Sequence, residues 1–286
     1  MTSIQEHDNY FVQKADALGR PRLTPYQKIT AAMRILAYGV GADATDEYIK
    51  IGESTAIDSV KRFCRATIEV FGDLYLRSPN AEDIERLLHN GKQRGFPGML
   101  GSLDCMHWRW KNCPTAGAGQ YTGRSGRPTI ILEAVADYNM WIWHAYFGLP
   151  VQTIHNPQGP KKKYFAARQE SCRKDVERAF GLLQSKWAII TCPARYWSKH
   201  VLHDIMTTCI ILHNMIIEDE RDEQMTITYY REAPIPEVEM VRDEHVRFQE
   251  FLARHRQIKD KSAHYALRDA LIDHLWEEYS NSDISL

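Results

Sequence analysis

The sequence predicts an α/β protein in which helical segments flank a short stretch of strands. Three apolar, strand-like runs lie between residues 99 and 147. Before and after them, apolar residues recur at three- and four-residue steps, which is the period of an amphipathic helix. The chain has 286 residues, of which 44% are hydrophobic, so it is long enough to bury a substantial core.

The N-terminal part is predicted to be helical after a loose polar lead-in over residues 1–22. Thr24 is a residue type that caps helices, and Pro25 suits the first helical turn that follows it. A short second helix is expected over residues 43–49. A longer third helix, capped by Ser54 or Thr55, is expected to end near residue 70.

This order of elements is the outline of a helix-turn-helix, because a tight turn separates the short helix from a helix with basic residues. Many small helical bundles share the same outline. Under the first interpretation the region 23–95 contacts DNA, and under the second it is a packing domain. The candidate phosphate contacts, all on the third helix, are Lys61, Arg62 and Arg65.

Three strands are expected in the middle of the chain, over Met99–Asp104, Thr129–Asp137 and Trp141–Phe147, the last two as a hairpin. A helix over residues 163–185 has an apolar stripe and is expected to pack on this sheet. Another strand is expected at residues 187–192.

The remaining elements are predicted to be helices, over residues 199–218, 244–258 and 264–279. The last two are charged amphipathic helices whose apolar stripes are typical of packing faces. The chain is therefore expected to divide into four regions: 1–22, 23–95, 96–220 and 221–286.

Composition excludes some classes of protein and leaves others open. No run approaches the roughly 18 apolar residues of a membrane span, and the start of the chain lacks the features of a secretion signal. The six cysteines form no CxxC pair, which indicates a reducing, intracellular protein.

The net charge of −1 conceals a basic middle of the chain. Residues 157–174 hold six Lys and Arg against one acid, and residues 105–128 hold four and no acid. This pattern is typical either of a phosphate-binding surface or of an ordinary solvated surface. The candidate phosphate contacts here are Lys161, Lys162, Lys163 and Arg173.

Two acids stand out because each lies at the edge of an apolar element. Asp104 closes the first predicted strand, and Glu177 lies within the predicted helix 163–185. A carboxylate at the edge of a core is costly unless something compensates its charge, and a divalent metal ion would do so. The alternative is that Glu177 pairs with Arg173 or Lys174 on its own helix.

Several separate segments resemble the nuclease domain of PIF/Harbinger transposases and their plant relatives. They are GSLDCMHWRWKNCP, PTIILEAVADYNMWIWHAYFGLP, GPKKKYFAARQESCRKDVERAFGLLQ and DIMTTCIILHNMIIEDERD, in the family's order. The upstream LTPYQKITAAMRILAYGVGADATDEYIKIGESTAIDSVKRF is similar to the family's N-terminal helical region. The resemblance spans roughly residues 20–280.

The resemblance implies an RNase H-like DDE endonuclease, a hydrolase that uses Mg²⁺ or Mn²⁺ to cut DNA in the nucleus. By motif, Asp104 matches the first catalytic Asp and Glu177 matches the final Glu, so both would be metal ligands. The family's second catalytic Asp lies on a later strand, which this chain lacks. Between Pro150 and Gly159 only VQTIHNPQ is present, and it contains no acid.

Asp137 is acidic and lies in the strand region, so it could substitute for the missing residue, but its position near a turn favours a hairpin or capping role. Two metals need a bridging ligand that two carboxylates do not supply, so we expect an inactive nuclease homologue. The missing strand would also leave the first strand with an open edge. That edge and the C-terminal helices are candidate surfaces for self-association or a protein partner.

Two other interpretations stay open. The chain could be a non-enzymatic adaptor that binds DNA or protein through its N-terminal and C-terminal helices. It could also be an intact nuclease whose sequence here reflects a wrongly spliced gene.

Overall fold

The computed structural model describes residues 1–122, 126–148, 174–225 and 261–283. Its N-terminal part is helical, as the sequence predicts, and the predicted short helix and longer third helix are both present. The five helices before the sheet are α1 (Thr2–His7), α2 (Pro25–Tyr38), α3 (Thr45–Ile49), α4 (Glu53–Tyr75) and α5 (Ala81–Gln93).

Local capping fixes the ends of α2. The Thr24 side chain accepts a hydrogen bond from the Gln27 backbone N–H at 3.2 Å, and the Gln27 side chain accepts one from the Thr24 N–H at 3.0 Å. This reciprocal pair is a capping box, and it confirms the predicted role of Thr24. At the other end Gly39 adopts a φ of 62°, a left-handed conformation that favours glycine.

The predicted cap of α4 was wrong by two residues. The N-cap is Gly52, and no side chain bonds to the helix end there. Ser54 and Thr55 lie inside the first turn instead, because the extended backbone of Gly52 already starts the helix.

A three-stranded antiparallel sheet, in the order β1-β2-β3, occupies the centre of the chain. The strands are β1 (Ser102–Arg109), β2 (Thr129–Ala136) and β3 (Ile142–Gly148), and β2 and β3 form the predicted hairpin. The predicted bounds of the first strand were wrong. It continues beyond Asp104 because its pairing with β2 runs on to Arg109 opposite Thr129, so Asp104 lies within the strand.

Between β1 and β2 lies the short helix α6 (Ala118–Tyr121). After the sheet, residues 174–186 are helical and are named α7. The predicted strand at 187–192 is wrong, since Ala188–Ile190 forms a 3₁₀ turn whose Ile189 and Ile190 are buried. A short apolar run alone does not distinguish a strand from another buried segment.

Two long helices complete the described chain, α8 (Lys199–Met225) and α9 (Lys261–Asp283). The predicted helix at 244–258 lies outside the described residues. Part of α8, Lys199–Arg221, is long and apolar enough to cross a membrane. However, 61% of its apolar 18-residue stretch is buried inside the protein. That burial is what a central core helix would show.

One hydrophobic core joins the N-terminal helices to the sheet, α7 and α8. The central helix α8 contributes Leu202, Ile205, Met206, Cys209 and Ile210 to it. The Thr208 hydroxyl on α8 also donates to the Cys64 carbonyl of α4 at 3.1 Å. The four predicted regions remain a prediction, and the first three of them contribute residues to this core.

Residues 1–22, predicted to be a loose lead-in, include α1 and a 3₁₀ turn at Asn9–Phe11. Ile4 and Phe11 are buried in the main core, and the Tyr10 hydroxyl lies 2.9 Å from the Ser59 Oγ of α4. The N-terminal segment therefore packs directly against α4.

Candidate functional site

Asp104 lies on the core-facing side of β1. Burial alternates along this strand, so that Met106 and Trp108 share the side of Asp104 and are buried, while Leu103 is exposed on the other side. The Asp104 Oδ1 accepts a hydrogen bond from the Cys105 N–H at 2.8 Å. The cross-strand positions beside Asp104 are Ala134 and Ala145.

The helix that carries Glu177 packs on the same side of the sheet. Its residues Val176, Ala179 and Leu183 belong to the core that includes Met106. The Gln184 Nε2 donates to the Met106 Sδ at 2.9 Å. Glu177 precedes Gln184 by two helical turns and therefore lies on the same side of α7. The structure thus brings together the strand and the helix that carry the two predicted catalytic carboxylates.

Asp175 is a buried residue that sequence analysis did not single out. It is 3% exposed and forms an ion pair with Arg94, the residue that caps α5. The Arg178 Nη1 lies 3.8 Å from the Oδ1 of Asp175, farther from this carboxylate than Arg94 is. Asp175, Ala179 and Leu183 follow one another at four-residue steps, and a carboxylate in such an apolar series was the available signal that it needs a partner. The pair ties α7, and with it Glu177, to α5.

Asp137 holds the turn between β2 and β3. Only 2% exposed, it accepts hydrogen bonds at Oδ1 from the backbone N–H groups of Asn139 and Trp141, at 2.8 and 3.1 Å. Its Oδ2 accepts one from the Trp143 Nε1 at 3.0 Å and lies 3.6 Å from the Arg86 Nη1. Both carboxylate oxygens are therefore engaged in fixing the hairpin.

A polar pair on α8 fixes the other side of this hairpin. The Asn214 Oδ1 accepts from the Ile142 N–H at 3.0 Å, and its Nδ2 donates to the carbonyls of Ile142 and Tyr75 at 2.8 and 2.7 Å. The neighbouring His213 donates from Nε2 to the Met140 carbonyl at 2.9 Å. Burial lowers the pKa of His213, so its imidazole is neutral near pH 7.

The outer face of β1 carries Cys105, whose Sγ lies 3.9 Å from the Glu133 Oε2. Burial raises the pKa of the Cys105 thiol, and the nearby carboxylates of Glu133 and Asp104 raise it further. The thiol is therefore protonated near neutral pH, and a protonated thiol is a poor metal ligand.

The donor chemistry of the candidate site suits a hard divalent cation only in part. The oxygens of Asp104 and Glu177 are of the type that Mg²⁺ and Mn²⁺ prefer. The carboxylate of Asp137 is committed to the hairpin. In the described ranges, no three His, Cys, Asp or Glu side chains form a group that could hold a metal ion. These residues therefore do not fit a two-metal centre.

The predicted phosphate contacts on α4 lie on its surface and each faces a carboxylate. The Lys61 Nζ lies 3.6 Å from the Asp58 Oδ1, the Arg62 Nη1 3.3 Å from the Asp8 Oδ2, and the Arg65 Nε 2.5 Å from the Glu69 Oε1. The side-chain hydrogen bonds from His7 and then Arg65 lower the pKa of Glu69. The other predicted contacts lie outside the described residues: Lys161, Lys162, Lys163 and Arg173.

Comparison with known families identifies one match. Residues 73–151 and 150–224 match the family described as "Plant transposon protein", and together these segments cover more than half of the chain. The two segments meet at residues 150–151, immediately after β3. No curated protein and no solved structure shows significant similarity to the chain.

Proposed function

The chain belongs to the plant transposon protein family, and from that premise we propose that it is a homologue of Harbinger-type DDE endonucleases that binds DNA in the nucleus without cutting it. The proposal is supported by the packing of α7, the helix that carries Glu177, on the side of β1 that carries Asp104. Asp104 lies on the side of β1 against which α7 packs, and Glu177 lies on the side of α7 that Gln184 presents to β1. An RNase H-like core would place its first and last catalytic carboxylates in this relation.

The proposed loss of DNA cleavage is supported by the absence of an acid from the segment that would hold the second catalytic Asp. The sequence has no acid between Pro150 and Gly159, and the two family matches meet at residues 150–151. Asp137 does not offer a free carboxylate in its place, since three N–H donors bond to its oxygens. Without a bridging ligand, two metal ions cannot be held in the geometry that phosphodiester cleavage requires.

DNA binding is supported by the helices before the sheet. Under the helix-turn-helix interpretation, α3 and α4 flank the tight turn, and α4 carries the exposed Lys61, Arg62 and Arg65. These cations would exchange their present carboxylate partners for phosphates. The basic run Lys161–Lys163, with Arg173, would add non-specific attraction.

The test of the proposal separates binding from cutting. Purified chain is assayed for cleavage of labelled duplex DNA with Mg²⁺ or Mn²⁺, beside an Asp104→Ala, Glu177→Ala double variant. Binding of the same duplex is measured by fluorescence anisotropy at several salt concentrations. We expect binding that weakens steeply with salt and no metal-dependent cleavage. Cleavage by the unmutated chain that the double variant lacks would show that another residue completes the site.

A second candidate function, an intact nuclease encoded by a longer transcript, is favoured by the meeting of the two family matches at residues 150–151. Sequencing the transcript across the codons for Leu149–Ile154 tests it. An additional in-frame segment containing an Asp would support the intact enzyme, and a transcript that matches the present sequence would reject it.

The outer edge of β1 is a candidate site for a protein partner in either case. Ala194 bonds to its C-terminal end, where the Ala194 N–H donates to the Arg109 carbonyl at 2.8 Å and the Lys111 N–H donates to the Ala194 carbonyl at 2.9 Å. In the described part of the chain β1 is an edge strand of the sheet, with β2 as its paired strand. An edge strand can pair with a strand of another chain, so we propose this edge as a pairing site.

A further inference from the structure

A cavity of about 710 Å³ lies where the loop after α2, the first half of α4 and the segment before α8 meet. Its lining is largely apolar and includes the buried side chains of Ile35, Trp108 and Ile189. Asp104 and Glu177 are not among its lining residues. The cavity is therefore separate from the candidate active site.

Trp197 stands at this cavity and is 71% exposed, which is unusual for so large an apolar side chain. The backbone beside it is held firmly to the chain that follows β1. The Trp110 Nε1 donates to the Tyr196 carbonyl at 3.0 Å, and the Asn112 Nδ2 donates to the Arg195 carbonyl at 2.5 Å. These bonds anchor the backbone that presents the exposed indole.

Four charged residues, two of each sign, also line the cavity: Asp43, Glu53, Lys61 and Arg195. All four are exposed, and Lys61 has Asp58 as a partner at 3.6 Å. Within the described ranges, the other three form no ion pair. A surface that binds nucleic acid needs an excess of positive charge. Two acids and two bases are instead suited to a second copy of the same surface, because each base of one copy can face an acid of the other.

We infer that this surface joins two copies of the chain in a two-fold symmetric dimer. A two-fold interface uses the same patch on both subunits, so the patch must carry both a projection and a matching recess. Trp197 is the projection, and the adjoining cavity is the recess. In the dimer the indole of each copy enters the cavity of the other, while Arg195 of each copy faces Asp43 and Glu53 of the other.

Two further exposed aromatic side chains lie on α2 and α3, the helices on either side of the loop after α2. Tyr38 and Tyr48 are 63% and 72% exposed, and the Arg34 guanidinium lies 5.3 Å from the centroid of each ring. Trp, Tyr and Arg are the residue types that contribute most at protein interfaces. Stable interfaces bury about 800 Å² per partner. Lys61 lines this cavity and is also a proposed DNA contact, so in the dimer Arg62 and Arg65 would be the contacts of that set left for DNA.

The mass of the full chain, measured by sedimentation equilibrium over a range of concentrations, tests the inference. We expect the unmutated 33.2 kDa chain to reach twice that mass and Trp197→Asp to stay monomeric over the same range. Loss of a central tryptophan should raise the dissociation constant at least about 30-fold. Leu18→Asp is the matched control, since Leu18 is an apolar residue exposed to a similar degree that does not line the cavity, and its change should leave the dimer intact.

A charge exchange distinguishes a broken interface from a misfolded chain. Arg195→Glu and Glu53→Arg should each weaken the dimer, and the double variant should restore it, which a folding defect would not do. A chain that is monomeric at every concentration would overturn the inference. So would a dimer that Leu103→Asp dissociates and Trp197→Asp does not, because association would then use the sheet.

Discussion

The Arg62 Nη1 of α4 lies 3.3 Å from the Oδ2 of Asp8, the residue that follows α1. The Arg62 guanidinium also lies over the Tyr10 ring, 4.8 Å from its centroid, and the Lys28 Nζ lies 4.3 Å from the same centroid. The N-terminal segment therefore contacts a predicted phosphate-binding residue. A duplex that binds α4 has to compete with Asp8 for Arg62.

Asp8→Asn is expected to strengthen DNA binding, because it removes the carboxylate that competes with phosphate for Arg62. Exposed ion pairs contribute little, so the dissociation constant should fall by about two- to five-fold. Fluorescence anisotropy with a labelled duplex at low salt measures the change. The control is Asp16→Asn, since Asp16 bonds to backbone N–H groups of its own loop. Equal or weaker binding by Asp8→Asn would remove Arg62 from the proposed DNA contacts.

Arg94→Met is expected to lower the free energy of unfolding by about 3 kcal/mol, because it leaves the buried Asp175 carboxylate without its closest cation. Arg178→Met is the matched control. Arg178 lies 3.8 Å from the same carboxylate but is exposed, so its loss should cost less than about 1 kcal/mol. Urea denaturation of both variants measures the difference. Similar losses from the two variants would show that Arg94 does not anchor α7.

Features set by neighbouring residues could be predicted from the sequence, and features set by distant ones could not. The capping box of α2 joins Thr24 to Gln27, three residues apart, and its start was predicted correctly. The end of β1 depends on its pairing with β2, and the placement of α7 depends in part on the Arg94–Asp175 pair. Such contacts between distant residues leave only weak signals in a single sequence.

In the candidate site too, features set by neighbouring residues could be predicted and features set by distant residues could not. Asp104 and Glu177 are marked as unusual by the apolar residues that neighbour them in the sequence. The hydrogen bonds that commit Asp137 to the hairpin involve residues two to six positions away, and its place near a turn pointed to them. The packing of α1 against α4 could not be predicted from the sequence, because residues 1–22 are largely polar.

Asn214→Ala is expected to lower the free energy of unfolding by about 2–4 kcal/mol. Asn214 makes three hydrogen bonds in a buried setting, and its loss leaves the N–H and carbonyl of Ile142 and the carbonyl of Tyr75 without those partners. Asn90→Ala, on the partly exposed surface of α5, should change stability by less than about 0.5 kcal/mol. Thermal and urea unfolding measure both. A loss below about 1 kcal/mol for Asn214→Ala would mean that water replaces its bonds.

His213 should make the free energy of unfolding decrease as the pH falls below the ordinary histidine pKa of 6.5. Burial lowers the pKa of His213 in the folded protein below its ordinary value of 6.5, while in the unfolded chain the imidazole titrates near that value. The unfolded state therefore binds more protons as the pH falls through 6.5, so the free energy of unfolding decreases with falling pH. The loss levels off once the pH lies below the folded pKa as well.

His213→Gln keeps a side-chain donor toward the Met140 carbonyl but does not titrate. We expect this variant to show a shallower decline in unfolding free energy between pH 7 and pH 5, whatever its stability at pH 7. Urea denaturation at half-unit steps of pH measures the slope. His200→Gln is the control, because it makes the same substitution at an exposed position. If His213→Gln and the unmutated chain lose stability in parallel, the pH dependence comes from other groups and not from the buried imidazole.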